Sequence, residues 1–520
     1  MFRALGLLVA ALLAACAPEP AEEAFDVLIV NGAVYDGSLE PAQRRNIGVS
    51  DGRIVSVDAL ADAPAHTIID AAGEMVVPGF IDPHTHAPID PDDTQATAHA
   101  NFLTQGVTTV VVGNDGHGID NREAIFDRLE ASGIGANIAF YAGHGSIRAA
   151  VMGYADRAPD PDELLAMQSL LADEMRAGAL GLSTGLFYAP GSYSDTDEIV
   201  ALARTAAQAG GVYDTHLRDE SSYTVGLVAA VEEAVRIARD ANIHVHISHI
   251  KALGKDVWGM SSDIIAIVDT ARAAGLQVTA NQYPWTASNV GLSSALVPRW
   301  AMEGSTEEMH ARLRDPALQT QIHDEMRDNL ERRGGPQAML ITTTTSSYQG
   351  MTLADAADRM GSDVIDAAIE LVISESPSIA SFIMHQDDID EIARQPWVMT
   401  GSDGGRGHPR FFATYPKAWQ DFVVDRRLMS AERFVHRSSG QVADSLGISN
   451  RGYIRPGYAA DIAIIDADKF APIATYEQPA ELSTGVEHLL VNGVHVISSG
   501  SSQNERAGLI LKRNASGSDK

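Results

Sequence analysis

The feature that most constrains the fold is a regular alternation of short apolar segments and longer amphipathic segments between residues 79 and 445. The short apolar runs predict strands and the amphipathic segments predict helices. Strands that alternate with helices indicate a parallel sheet. The strand candidates are GFIDPHTH, GVTTVVVGND, NIAFYAGHG, GALGLSTGL, GVYDTHL, HVHISHI, QVTANQYPW and PWVMTGSDG. Eight such strands predict an α/β protein with a (β/α)8 TIM-type barrel. The alternative is a doubly wound open sheet, but no GxGxxG motif follows an early strand.

The two ends of the chain share a different pattern, with short alternating strands and glycine-containing turns at residues 25–78 and 446–512. LIVNGAV at Leu28–Val34 is echoed by LLVNGVH at Leu489–His495. We therefore expect both ends to build one small β-sandwich around a barrel domain at 79–445. Within that domain the strand–helix rhythm is broken at about 286–380, where we expect a helical insertion that acts as a lid.

The N-terminus has the pattern of an export signal. Arg3 precedes an apolar run from Ala4 to Ala15, which is too short for a membrane span and predicts a signal peptide at 1–15. Leu-Ala-Ala-Cys resembles a bacterial lipobox, which implies lipidation of Cys16, a polar tether at 16–24 and a place on the periplasmic face of the cell envelope. Ala17 is not aspartate, and this favours the outer membrane. The alternative is an ordinary cleaved signal with an incidental cysteine. Residues 513–520 form a polar tail.

The formal net charge of −31 argues against binding of nucleic acid, whose phosphates require a basic surface. The same charge would repel an anionic substrate, so such a substrate would need a local basic anchor in its pocket. We expect a small-molecule partner, and contact with a membrane only through the N-terminal lipid.

Almost every predicted strand ends in a side chain that can ligate a metal or take part in catalysis. His84 and His86 are two residues apart, so their imidazoles share one face of an extended strand. Buried strands have no structural reason to end in polar residues repeatedly, whereas the catalytic rim of a barrel does. The other strand ends carry Asp115, His144, Ser183, Thr184, His216, His249, Lys251, Tyr283 and Asp403.

Three histidines with one or two carboxylates suit zinc, which keeps an open position in catalytic sites. Asp403, in the turn MTGSDGG, is the candidate for general acid and base. Asp403 and Asp115 could instead be turn-capping residues. In IHVHISHI the ligand could be His244, His246 or His249, and the pattern alone leaves that choice open.

The chain resembles the N-acyl-D-amino-acid deacylases (D-aminoacylases) of the amidohydrolase superfamily from about Phe25 to Gly508. The resemblance is carried by GFIDPHTH, GLSTGLFYAPG, GGVYDTHLRDE, ISHIKALG, YPWTAS, GSDGG, HPRFFATYP and RGYIRPGYAADIAIID. It implies a metal-bearing (β/α)8 barrel with a small β-sandwich.

Residue by residue, the resemblance makes His216 and His249 metal ligands and Asp403 the catalytic acid and base. His84 and His86 correspond to the positions of a second metal. The residues that hold the substrate carboxylate and nearby polar atoms are Lys251, Tyr283, Ser288 and Arg410, and we place His144 with them. A guanidinium can bind a carboxylate through two parallel hydrogen bonds, which favours Arg410 as the anchor over a role in a surface salt bridge.

The chain departs from its family at one expected ligand. Typical members have Asn-Cys-Gly where this chain has Asn114-Asp115-Gly116. Aspartate is still a competent zinc ligand, and it is harder than cysteine, so other divalent metals become possible. Trp285 replaces a frequent tyrosine and Asn281 a common aspartate, and both changes bear on side-chain specificity.

We therefore expect hydrolysis of the amide of an N-acyl-D-amino acid with one or two zinc ions bound. The first alternative is a hydrolase of D-containing dipeptides, and a lower-ranked one is a non-catalytic binding lipoprotein of the envelope. Cyclic-amide hydrolases of the superfamily use a carboxylated lysine on the fourth strand, and the fourth strand here, ALGLSTGL, has none.

Overall fold

The computed structural model describes residues 24–513. The predicted signal peptide, the predicted lipidation site at Cys16 and nearly all of the predicted tail lie outside the described residues.

The strands and helices alternate through the middle of the chain. The strands are β1 Phe25–Val34, β2 Gln43–Ser50, β3 Arg53–Ser56, β4 Ala65–Asp70, β5 Met75–Pro78, β6 Phe80–Asp82, β7 Val107–Val112, β8 Asn137–Phe140, β9 Ala142–Gly143, β10 Gly181–Gly185, β11 Val212–His216, β12 Val245–Ile247, β13 Val278–Gln282, β14 Ala287–Gly291, β15 Met339–Ile341, β16 Ser378–Phe382, β17 Val398–Thr400, β18 Ile462–Ile465, β19 Val486–Val491, β20 Val494–Ser498 and β21 Ser501–Ser502. The helices are α1 Ala100–Leu103, α2 Arg122–Ser132, α3 His144–Met152, α4 Pro161–Ala177, α5 Thr196–Gln208, α6 Leu227–Ala241, α7 Ser261–Ala273, α8 Leu292–Leu296, α9 Thr306–Arg314, α10 Gln319–Arg332, α11 Leu353–Met360, α12 Val364–Ser374, α13 Gln386–Ala393, α14 Arg410–Ala418, α15 Ala431–Ser438 and α16 Gly440–Leu446.

One sheet contains strands from both ends of the chain. Its order is β21-β20-β19-β18-β5-β1-β2-β3, and β4 also pairs with β1. The two ends meet where β5 runs antiparallel to β18, with Val77 opposite Ala463. Apolar residues of both ends share one buried cluster that includes Ile29, Val76 and Ile464. The pairing of the two ends in one sheet agrees with the sequence pattern, and the two-layer sandwich stays a prediction.

The middle of the chain forms two parallel sheets, one of order β17-β13-β12-β11-β10-β9 and one of order β6-β7-β8. β7 reads VTTVVV and is buried throughout, as expected for a β-branched strand covered on both faces. The sheets approach each other at the ends of β6 and β17, where Asp403 N donates to His84 O at 2.9 Å. His86 N donates to Gly404 O there at 2.8 Å. The carboxyl ends of these strands therefore lie side by side.

The helices bury one apolar face each, as α5 illustrates. Asp195 caps its first turn by accepting a hydrogen bond from Glu198 N at 2.8 Å. The buried face repeats with the helical period and holds Ile199, Leu202, Ala203 and Ala206. Glu198 lies on the same helix and is also buried.

Residues 286–380 carry α8–α12 and an antiparallel sheet of order β14-β16-β15. They have their own hydrophobic cluster, which includes Leu296, Met326 and Leu371. The helices of this insertion follow the sequence prediction, but its small sheet does not, because three short strands separated by helices leave no local pairing signal. In the part of the chain that the structure describes, no helix has the length and apolar character to cross a membrane.

Candidate active site

Six predicted site residues converge at the carboxyl ends of the parallel strands. They are His84 and His86 after β6, Asp115 after β7, His216 at the end of β11, His249 after β12 and Asp403 after β17. All are buried except His86, which faces the cavity described below. The strands belong to two parallel sheets whose strands β6 and β17 end side by side, so residues far apart in the chain meet here.

Asp115 lies at the centre of this group. Its Oδ1 is 3.4 Å from His84 Nε2 and 3.5 Å from His249 Nε2. Its Oδ2 is 3.5 Å from His86 Nε2. The possible ligand atoms form two groups that share Asp115, one with His84, His86 and Asp403 and the other with His216 and His249. Within each group these atoms lie within 4.8 Å of one another.

The backbone is strained at three of these residues. Asp115, His249 and Asp403 have φ values of 57°, 31° and 47°, in the left-handed region that residues with a side chain rarely adopt. Such conformations cost free energy and persist where the surrounding structure holds them. Here each one turns a side chain into the site directly after a strand.

The carboxylates give the site a strong preference for positive charge. Burial lowers the pKa of His86, but its hydrogen bonds with Asp115 and Asp403 outweigh burial and raise that pKa to about 10. Burial would raise the pKa of Asp403, yet Arg410 and His249 hold it well below its usual value. Burial lowers the pKa of His216 to about 3, so this imidazole is neutral, as a metal ligand must be.

The donor set fits a divalent metal. Among the described residues, His84 Nδ1 and Nε2, Asp115 Oδ1 and His216 Nε2 are buried polar atoms with no hydrogen-bond partner. Buried polar atoms are normally paired, because leaving one unpaired costs about 1–3 kcal/mol. Imidazole nitrogens and carboxylate oxygens in one cluster are the ligands that zinc takes.

The cluster opens into a cavity of about 480 Å³. The predicted substrate residues Lys251, Ser288 and Arg410 line this cavity together with the cluster. Arg410 is fully buried, and its Nη1 lies 2.8 Å from Asp403 Oδ2. Its Nε has no hydrogen-bond partner among residues 24–513. The cavity therefore combines possible metal ligands with cationic side chains.

Two predicted substrate residues lie elsewhere. Tyr283 sits behind the cavity wall, with its ring centroid 4.7 Å from Arg410 Cζ. His144 is fully buried at the start of α3, and its Nε2 lies 2.8 Å from Glu198 Oε1. His144 does not line the cavity, because α5 supplies a carboxylate that holds it outside the site.

The structure brings His249 to the cluster and holds the other two candidates away. His244 Nε2 and His246 Nδ1 each lie 2.9 Å from Thr279 Oγ1. Asn281 bonds both His246 Nε2 and the backbone N–H of His249. Its amide side chain thus supports the turn that carries His249.

Glu220 is a site residue that the sequence analysis missed. Its Oε1 lies 2.6 Å from Lys251 Nζ and 3.0 Å from His249 Nδ1. Burial would raise the pKa of Glu220, but Lys251, His216 and His249 hold it below its usual value. The only local signal was its position four residues after His216 in THLRDE.

Comparison with known proteins identifies the class of this fold and site. The model of the Amidohydrolase family matches residues 67–497. A D-aminoacylase of Alcaligenes xylosoxydans xylosoxydans is 31% identical, over 94% of this chain and 98% of its own. Among solved structures, an N-acyl-D-glutamate deacylase of Bordetella bronchiseptica with zinc and a phosphonate mimic of the tetrahedral intermediate has a TM-score of 0.80. It is 31% identical, over 94% of this chain and 100% of that chain.

A solved D-aminoacylase with a binuclear metal centre also has a TM-score of 0.80, at 31% identity over 94% of this chain and all of its own. The chain therefore belongs to the amidohydrolase family, and its α/β fold is of the D-aminoacylase type. The comparisons confirm the family and the amide-hydrolysing class predicted from the sequence.

Proposed function

We propose that this amidohydrolase is a zinc-dependent deacylase that converts N-acyl-D-amino acids to a carboxylate and a free D-amino acid. The observation that carries the proposal is the shared cavity, in which unpaired imidazole and carboxylate atoms adjoin Asp403 and Arg410. The relatives that are 31% identical over nearly the whole chain carry names of this activity.

One or two zinc ions would be held by the two groups of ligand atoms. His216, His249 and Asp115 form one set, and His84, His86, Asp115 and Asp403 the other. Bound zinc supplies Lewis acidity at the reacting carbonyl and lowers the pKa of water. Asp115 turns one oxygen toward His84 and His249 and the other toward His86, so its carboxylate can serve both sets.

Asp403 moves the proton. Arg410 keeps its carboxylate ionised, so it can accept a proton from the attacking water and pass it to the departing amine nitrogen. Gly405 lines the cavity beside Asp403. Proton transfer through a positioned side chain of this kind contributes about 10²- to 10⁴-fold to rate.

The cationic wall holds the substrate carboxylate. Arg410 and Lys251 supply the charge and Ser288 a hydroxyl whose Oγ has no hydrogen-bond partner among the described residues. Tyr283 packs behind Arg410 and orients its guanidinium. This wall offsets the repulsion that a chain with a net charge of −31 exerts on an anion.

The site residues sit on a fold that we propose to be one closed (β/α)8 barrel with an insertion that covers its mouth. Only Tyr141 separates β8 from β9, and hydrogen bonds from Asp403 to His84 and from His86 to Gly404 join the last strand to the first. The insertion contributes Asn289, Ser294 and Arg333 to the cavity wall. The domain boundaries at 79–445 and 286–380 belong to the same proposal.

The place of the enzyme in the cell is a further part of the proposal. Export, lipidation of Cys16 and retention at the periplasmic side of the outer membrane rest on the Leu-Ala-Ala-Cys pattern. Incorporation of radioactive palmitate into the wild-type chain but not into Cys16→Ala tests this assignment. Equal incorporation by the two chains would contradict it.

The activity is tested with the zinc-loaded mature chain and paired N-acetyl-D- and N-acetyl-L-amino acids, by measuring the release of free amine. We expect release from D-substrates alone, its loss on chelation and its return with zinc. Hydrolysis of D-containing dipeptides in place of the acetyl substrates would overturn the deacylase assignment.

A further inference from the structure

One cationic residue of the cavity has no role in the reaction described above. Arg333 follows α10 in the insertion, lines the cavity and is 2% exposed. Its Nε donates to Tyr223 Oη at 2.6 Å and its Nη1 to Ser381 Oγ at 3.4 Å. Its Nη2 makes no hydrogen bond to any residue between 24 and 513.

Arg333 differs from the other cationic residues that line the cavity. Lys251 lies 2.6 Å from Glu220, Arg406 lies 2.9 Å from Asp93 and Arg410 lies 2.8 Å from Asp403. In the described part of the chain, no carboxylate lies within 4.0 Å of Arg333. Its neighbours are the hydroxyls of Tyr223 and Ser381 and the Tyr223 ring, whose centroid is 5.6 Å from Cζ.

A buried guanidinium without a counter-charge is costly, because desolvation of the charge is not repaid by a partner. At a cavity wall the partner can be the ligand, and a guanidinium with free N–H donors binds carboxylates with good geometry. Tyr223 also packs against Phe187, which in turn packs against the ligand candidate His216. Arg333 is thus joined to the reaction site through one aromatic wall.

We propose that Arg333 binds a second carboxylate of the substrate, so that the enzyme prefers N-acyl-D-amino acids that are dianions. The first carboxylate is the one held by Arg410 and Lys251. The second can belong to the amino acid side chain, as in acyl derivatives of D-glutamate, or to the acyl group, as in a succinyl amide. This inference rests on the proposed function.

The test compares substrates that differ only in charge. One pair is N-acetyl-D-glutamate and N-acetyl-D-glutamine, and the other is N-succinyl-D-leucine and N-succinamoyl-D-leucine. We expect the wild-type kcat/KM for the charged member of one pair to exceed that of its neutral partner by about 10- to 100-fold, the value of a hydrogen bond to a charged group. The pair that shows the preference identifies the source of the second carboxylate.

Arg333→Gln should remove the preference and leave the kcat/KM of the neutral substrates within about threefold, since those substrates carry no second carboxylate for the guanidinium to bind. Arg333→Lys, which keeps the charge, should retain part of it. Arg406→Gln is the matched control, because it removes a charge from the same cavity at a residue that already pairs with Asp93. It should leave the charged-to-neutral ratio unchanged. Thermal unfolding of each variant reports its folding.

Two results would overturn the inference. The first is an equal kcat/KM for the charged and the neutral member of both pairs in the wild type. The second is an equal loss of kcat/KM on charged and neutral substrates in both Arg333 variants while they remain folded. In either case hydrolysis of N-acetyl-D-leucine would leave the proposed function intact. If no substrate were hydrolysed, the proposed function would fail. Calorimetric binding of N-acetyl-D-glutamate and N-acetyl-D-glutamine to wild type and Arg333→Gln would still decide the role of Arg333.

Discussion

Two buried clusters of ionisable side chains adjoin the parallel strands, and they differ in whether every carboxylate oxygen is paired and whether the cavity lies beside them. The metal-site cluster comprises His84, His86, Asp115, His216, His249 and Asp403. The His144 cluster comprises His144, Arg148 and Glu198. Both place a histidine and a carboxylate close together immediately after a strand, and sequence analysis treats their histidines alike.

In the His144 cluster, each oxygen of Glu198 has a charged or polar donor. Oε1 lies 2.8 Å from His144 Nε2 and Oε2 lies 2.5 Å from Arg148 Nη1. In the metal-site cluster, Asp115 Oδ1 and three imidazole nitrogens have no hydrogen-bond partner among the described residues, and a cavity lies beside them. His144 Nδ1 and Arg148 Nε are also unpaired among the described residues, but neither residue lines the cavity. A carboxylate with both oxygens paired away from the cavity therefore indicates a structural role, whereas unpaired ligand atoms beside the cavity indicate a functional site.

The largest contrast should come from removing one carboxylate charge in each cluster. Asp403→Asn should lower kcat/KM by about 10²- to 10⁴-fold, because it removes the group that moves the proton, and it should leave in place the zinc held by His216, His249 and Asp115. Glu198→Gln is the matched control, since it too removes a buried carboxylate that pairs with an arginine. Steady-state kinetics and metal analysis measure both effects. An Asp403→Asn enzyme with the kcat/KM of the wild type would contradict the role of Asp403 in proton transfer.

Glu198→Gln should instead act on stability. Removing one partner of a buried ion pair leaves Arg148 without its counter-charge and costs about 3–5 kcal/mol of unfolding free energy. Urea unfolding measures this loss, and kcat at a temperature where the variant is folded should equal that of the wild type. A fall in kcat with unchanged stability would place the His144 cluster in the active site.

Glu220→Gln tests whether a carboxylate next to the metal-site cluster contributes to zinc affinity. Its carboxylate contacts His249 Nδ1, and partners that orient a metal-bound histidine contribute about 10- to 100-fold to metal affinity or activity. We expect a zinc dissociation constant raised by that factor, measured by competition with a chelating dye. Glu174→Gln, which removes the partner of Arg122 outside the cavity, should leave the constant unchanged. Equal affinity in all three proteins would mean that Glu220 serves Lys251 alone.

The smallest effect should be a pH dependence of the stability that the His144 cluster gives to the fold. Burial would raise the pKa of Glu198, but His144 and Arg148 hold it below its usual value of 4.5. Because the folded-state pKa is depressed, this carboxylate stabilises the fold above about pH 4.5, and the stabilisation is lost as pH falls through the folded-state pKa. The stability gap between wild type and Glu198→Gln should therefore be full at pH 7 and shrink below pH 4.5. A gap that stayed constant on acidification would show that packing, not charge, causes it.

Much of the site could be predicted because its signals are local. His84 and His86 share a face through their spacing, His216 ends a strand, and Asp115 and Asp403 follow shortly after one. His249 needed the family resemblance, since His244 and His246 have equally suitable positions in the sequence. Glu220 and Arg333 lie in connecting segments without a periodic pattern, and the only local signal was the position of Glu220 four residues after His216.

The sequence by itself determined the α/β class, the pairing of both chain ends and the chemical types gathered at the strand ends, because these follow from periodicity and spacing along the chain. Tertiary structure alone decided which atoms remain unpaired. Helix α5 brings Glu198 to His144 and thereby removes it from the site, and the insertion brings Arg333 to the cavity without a carboxylate. Whether a polar atom is paired depends on long-range packing, which no local pattern encodes.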